Sequence, residues 1–123
     1  MSKSGRQQGE LESLVLDALW SALDNDTSPL TSQQLMDALG AKADIAMTTL
    51  LTVLSRLVDK ELVVRAPGEG RSLLFAAAKT RELHNADLML KLIADAGNPA
   101  LAMSHFAAGL SPAALQALRN TLK

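Results

Sequence analysis

Near Glu61 the spacing of apolar residues changes from a helical to a strand-like period, which requires a helix and the first strand of a sheet in direct succession. Residues 46–60, AMTTLLTVLSRLVDK, divide into two arcs on a wheel of roughly 100° per residue. Ala46, Met47, Leu50, Leu51, Val53, Leu54, Leu57 and Val58 form the wide stripe of a helix packed on a core. Residues 62–66 (LVVRA) and 71–76 (RSLLFA) then read as two strands around a Pro67-Gly68-Glu69-Gly70 tip, which predicts a hairpin.

The second arc of the helix carries Thr48, Thr49, Thr52, Ser55, Arg56, Asp59 and Lys60. It is rich in hydroxyls, where a solvated face is ordinarily filled with Glu and Lys. Hydroxyls and a few cations suit a DNA major groove, where they meet phosphates, base edges and thymine methyls. An ordinary amphipathic core helix has the same apolar stripe, so this stretch alone leaves both readings open.

The flanking elements bear on the choice. A first helix is predicted over residues 9–23, with Leu11, Leu14, Val15, Ala18, Leu19, Ala22 and Leu23 in one stripe. Leu16 and Trp20 project from its other side and require a second apolar surface, so Trp20 reads as a packing residue. Residues 24–29 (DNDTSP) are a loop by composition. A second helix is predicted to begin near Ser32, with Thr31 and Gln34 as a capping box, Leu30 stapled onto Leu35, and Gly40 as its stop. Asp44 is the expected N-cap of the third helix. Two helices joined by a short turn and followed by a hairpin make a winged helix-turn-helix, in which the second helix enters the groove. Arg65 and Arg71 fall near the wing tip, in reach of backbone phosphate or the minor groove.

From Lys79 the chain is again helical. Thr80 is the expected N-cap of a fourth helix running to about residue 96, Asn98-Pro99 starts a fifth over residues 100–108, and Ser111-Pro112 starts a sixth. The fourth helix is apolar most of the way round and must be buried on most sides. A tail of about 45 residues is near the size at which isolated domains need help from metals, disulfides or association. With no cysteine present, pairing with a second copy is the expected solution, and a two-fold dimer would offer two recognition helices to a pseudo-palindromic site.

Charge pulls the other way. The formal total is −1, and residues 1–78 hold seven basic against ten acidic side chains, so the broad basic patch of an easily recognised DNA binder is missing. Aromatic residues are only 2% of the chain, which disfavours single-strand binding by base stacking. The absence of cysteine excludes thiolate zinc fingers, disulfides and a thiol nucleophile. His84 and His105 lie in separate predicted helices without metal-ligand spacing, and no nucleophile stands with a base and an orienting group. A polar N-terminus and no run of membrane-spanning length predict a soluble, cytoplasmic protein without membrane insertion.

Taken in order, these residues resemble the penicillinase repressor (BlaI/MecI-type) family over nearly the whole chain. The resemblance is carried by Gly9-Glu10-Leu11-Glu12 with Val15 and Leu19-Trp20, and by the run from Met47 through Thr48-Thr49-Leu50-Leu51-Thr52-Val53-Leu54-Ser55-Arg56 to Lys60. It continues through Arg71 and Phe75, His105-Phe106, Leu110-Ser111 and Leu118-Arg119-Asn120. It implies a homodimeric winged-helix repressor of operator DNA, with Thr48, Thr49, Thr52 and Arg56 matching the reading helix and Arg71 the wing. It also implies a membrane sensor-protease pathway as a partner. Staphylococcal members are cut at an Asn-Phe bond in the tail, whereas the matching pair in this chain is His105-Phe106, so the resemblance does not carry cleavage over to this bond and leaves another site or another trigger open. The C-terminal cysteine cluster of copper-responsive relatives is absent, which argues against copper sensing by that chemistry.

The expectation is therefore a mainly α fold with a small β-hairpin. Residues 1–78 would form a winged-helix DNA-binding domain and residues 79–123 a helical dimerisation region. Thr48, Thr49, Thr52, Ser55, Arg56, Lys60, Arg65, Arg71, Lys3 and Arg6 are the candidate DNA contacts. Leu88, Met89, Leu92, Ile93, Phe106, Leu115, Leu118 and Leu122 are the candidate dimer contacts. No catalytic residue, metal or cofactor is expected. A winged-helix module that binds another protein instead of DNA is the alternative, and a small-ligand sensor using the apolar tail as its pocket is a third, weaker option.

Overall fold

The structure, a computed structural model, describes residues 8–123. Its elements run α1 (Gln8–Asp24), β1 (Leu30–Thr31), α2 (Ser32–Leu39), a 3-10 turn (Gly40–Lys42), α3 (Met47–Asp59), β2 (Val63–Pro67), β3 (Leu73–Ala77), α4 (Arg81–Ala94), α5 (Pro99–Ala108) and α6 (Pro112–Leu122). They divide into two compact units, one ending at Arg81 and the other spanning Glu82–Lys123.

In the first unit, α1 packs against both α2 and α3, and α3 packs against β2. Val15, Leu19, Leu35, Leu50, Leu54 and Leu57 are completely or almost completely buried there, and Val63 and Phe75 close the core from the sheet. Burying each such side chain contributes about 1.5–3 kcal/mol, so this shared core is what holds helices and sheet together. Leu16 and Trp20 are buried as well, which gives α1 the second apolar contact that their positions required. Leu23, expected on the same stripe, is exposed at the last turn of α1.

The start of α2 follows from its sequence. Thr31 Oγ1 accepts from the Gln34 amide at 3.1 Å while Gln34 Oε1 accepts from the Thr31 amide at 2.9 Å, so two amides that a helix start leaves unpaired are satisfied reciprocally. Gly40 then ends the helix with a φ of 50°, a conformation that glycine adopts without penalty.

Four local expectations need correction. The sheet has three strands in the order β1-β3-β2, because Leu30 and Thr31 pair with Phe75 and Leu74. Two residues leave no alternating pattern to read, so the sequence showed only a hairpin. That hairpin pairs Val63 with Ala77 through to Pro67 with Leu73, and its turn holds Arg71 and Ser72, which had been placed in the second strand. The Gly68 amide donates to the Ser72 carbonyl and the Ser72 amide to the Glu69 carbonyl, which closes the turn before β3 begins. Asp44 does not cap α3: its φ is 47° and the N-cap is Ala46, which has no capping side chain. Ala46 and Leu51 are exposed instead of lying in the core.

The end of α3 sets where the wing begins. Leu62 N–H donates to the Leu57 carbonyl and Glu61 N–H to the Val58 carbonyl, both at 2.9 Å, the pair of bonds that defines a Schellman motif. The motif needs a left-handed residue, and Glu61 supplies it with a φ of 64° where glycine is usual. The chain thereby reverses in one residue, and Leu62 packs against the core beside β2.

The second unit holds α5 and α6 and α4 from Glu82 onward. Asn98 Oδ1 accepts from the Leu101 amide and Ser111 Oγ from the Ala114 amide, and a proline occupies the first turn of both α5 and α6. The expectation that α4 is buried on most sides is not met in the single chain: α4, α5 and α6 contain no buried residue. Forty-odd residues in three short helices cannot surround their own apolar side chains.

Candidate functional site

The exposed face of α3 is fixed by the core behind it. Leu50, Val53, Leu54 and Leu57 are buried, so a helix of this length must turn Thr48, Thr49, Thr52, Ser55, Arg56 and Asp59 away from the core, and all six are exposed. The Thr52 hydroxyl donates to the Thr48 carbonyl at 3.0 Å, which ties that side chain to its own helix and leaves the oxygen lone pairs as acceptors. Leu51 stands at the edge of the same face. Thr48 precedes it by one turn and Ser55 follows by one turn, and Leu51 is 44% exposed. Sequence reasoning assigned it to the core because it borders the stripe; only the packed helix shows that the core is complete without it.

The remaining candidates are distributed unevenly. Arg65 lies in β2 opposite Phe75, Arg71 lies in the wing turn, and both are exposed. Gly70 in that turn has a φ of 60°, so a side chain there would be strained. Lys60 is paired within the chain. Its Nζ lies 2.8 and 3.0 Å from the two carboxylate oxygens of Glu12 on α1, so a phosphate contact by Lys60 would have to compete with that carboxylate. Lys3 and Arg6 lie outside the described residues.

A second polar cluster ties α1 to the segment leading into α4. The Trp20 indole N–H donates to the Lys79 carbonyl at 2.9 Å, and the Arg81 guanidinium lies 4.9 Å from the Trp20 ring centroid and 2.9 Å from Asp17 Oδ1. Asp17 and Glu12 are two of the ten acidic side chains of residues 1–78, and both are matched by cations of the chain itself. A cleft of about 150 Å³ between α1 and α2, lined by Leu14, Ala18, Leu39 and Lys42 among others, is smaller than a site for a drug-sized ligand.

In the second unit Leu88, Met89, Phe106 and Leu118 are exposed, Leu92 and Leu122 are 72% and 75% exposed, and Ile93 and Leu115 are half-buried. Leu83, Leu90, Leu101 and Met103 are exposed too and extend this apolar surface. Their signal was in the sequence, since α4 and α5 are apolar on more than one side. Among the described residues no three His, Asp or Glu side chains are grouped to hold a metal ion, and no helix is long and apolar enough to cross a membrane.

Two packed helices with an exposed polar face on the second, followed by a hairpin joined into a three-stranded sheet, define a winged helix-turn-helix protein. The family model described as "Penicillinase repressor" matches residues 8–123. The protein named Transcriptional regulator BlaI from Mycobacterium tuberculosis (strain CDC 1551 / Oshkosh) is 37% identical over 117 residues, which is 93% of this chain and 81% of that relative. The protein of the same name from strain ATCC 25618 / H37Rv matches over the same extent with the same identity. The chain belongs to the penicillinase repressor family, a family of transcriptional regulators and not of enzymes.

Proposed function

We propose that this chain is a cytoplasmic, homodimeric transcriptional repressor that binds a pseudo-palindromic operator in double-stranded DNA. In this reading α3 lies in the major groove, the wing touches the backbone or the minor groove, and α4, α5 and α6 form the dimer. The observation that carries it is the exposed face of α3: three threonines, a serine and an arginine on the outer side of a helix whose inner side is locked into the core. Hydroxyls hydrogen-bond phosphates and base edges, and an arginine can take two acceptors of guanine at once. The first amides of α3 have no side-chain cap at Ala46, which suits a phosphate oxygen at the helix start. Arg65 and Arg71 supply cations from the wing.

The modest number of free cations has a consequence. Few phosphates are neutralised, so non-specific affinity is low and specific binding depends on the α3 contacts and on two half-sites engaged together. Fluorescence anisotropy with duplexes from the promoter region of the protein's own gene tests this reading. Wild type binds one of them specifically at moderate salt, and Arg56→Ala and Thr52→Ala bind more weakly. Equal binding by both variants and wild type would remove α3 from the interface.

The surplus of acidic side chains in residues 1–78 favours a second reading, a winged-helix module that binds a basic protein surface. Retention on heparin together with a sequence-specific shift that survives moderate salt decides for DNA. Failure of both decides for the protein-binding module.

A further inference from the structure

Leu51 is a large apolar side chain, 44% exposed, at the edge of the polar face of α3, with Thr48 and Ser55 as neighbours on one side and the half-buried Met47 and Val58 on the other. The core does not need it, because Leu50, Val53, Leu54 and Leu57 already fill the inner side of α3. Resting on the reading that α3 enters the major groove, we propose that Leu51 is a specificity-determining residue that reads the C5 methyl group of a thymine in each half-site.

The chemistry of the groove restricts what a leucine can recognise there. Guanine, cytosine and adenine present hydrogen-bonding groups and no methyl at the major-groove edge, and a leucine placed over those groups would strip them of water without replacing the bond. Thymine alone presents a methyl group, and contact between that methyl and the leucine removes both from water. Thr48 and Ser55 stand one helical turn before and after Leu51 and offer hydroxyls to neighbouring base pairs, so choice at the base pair that Leu51 meets would fall to Leu51. The preference is for thymine on one defined strand, because the methyl stands on one side of the base pair.

The test uses the full-length wild-type chain to select a duplex from a random-sequence pool. The enriched duplex is then synthesised with single thymines replaced by uracil, which removes the methyl and leaves every hydrogen-bonding atom in place. In anisotropy titrations one replacement per half-site weakens wild-type binding by about three- to fivefold, the effect expected of one buried methyl-sized group. In Leu51→Ala the same replacement has no effect, and thermal melting verifies that this variant remains folded. A full uracil penalty retained by Leu51→Ala, or no sensitive thymine with wild type, would overturn the role of Leu51 and leave α3 in the groove. If the pool yields no enriched sequence, DNA reading by α3 fails and the role of Leu51 fails with it.

Discussion

The indole nitrogen of Trp20 and the backbone carbonyl of Lys79 are joined by a 2.9 Å hydrogen bond across 59 residues of chain. The bond fastens the segment entering α4 to the C-terminal part of α1, and the Arg81 guanidinium over the same ring adds a cation–π contact. Trp20→Phe keeps the apolar ring and loses the donor, leaving a part-buried carbonyl without it. Stability should fall by roughly 1–3 kcal/mol, read from urea unfolding followed by circular dichroism. A variant within experimental error of wild type would show that the bond contributes nothing net.

Glu61 offers the opposite opportunity. It occupies the left-handed position of the Schellman motif at a φ of 64°, a conformation that costs a residue with a Cβ about 1–2 kcal/mol. Glycine relieves that cost and gives some back through the greater freedom of the unfolded chain. Glu61→Gly is expected to raise the urea midpoint, with a net gain of about 0.5–1 kcal/mol. A lowered midpoint would mean that the glutamate side chain makes a stabilising contact larger than the strain.

Glu12 restrains Lys60, and its removal should show in DNA binding. Glu12→Gln keeps the shape of the side chain and releases the Lys60 ammonium. Affinity for non-specific duplex should rise a few-fold, and the logarithmic salt slope should steepen by about 1 as one more phosphate is engaged. An unchanged slope would place Lys60 away from the DNA backbone.

The apolar surface of α4, α5 and α6 predicts self-association. Sedimentation equilibrium of wild type should give twice the 13.0 kDa of one chain at micromolar concentration, and Leu92→Glu should shift the population toward single chains or unfolding. A folded wild-type monomer at that concentration would contradict the dimer.

How much of this was legible in the sequence depends on how local the cause is. The Thr31–Gln34 capping box, the prolines opening α5 and α6, and the core stripe of α3 apart from Ala46 and Leu51 rest on residues within a few positions of one another, and the structure has them where the pattern puts them. Features decided by distant parts of the chain were not readable. The pairing of Leu30 with Phe75 exists only once the hairpin is folded, and the ion pair of Lys60 with Glu12 spans 48 residues. Leu51 failed for a third reason. At the border of a stripe the wheel cannot tell a core leucine from an exposed one, since the answer depends on how wide the packed neighbours are.

Thr31 ends strand β1 opposite Leu74 and at the same time caps α2, so no residue intervenes between sheet and helix. One opening event must therefore release both. In hydrogen exchange, the Gln34 amide held by the Thr31 hydroxyl should lose protection together with the amides of β3, at one common opening free energy. The edge strand and the first turn of α2 would then exchange as a single cooperative block, so that loosening the root of the wing also frays the helix that supports α3.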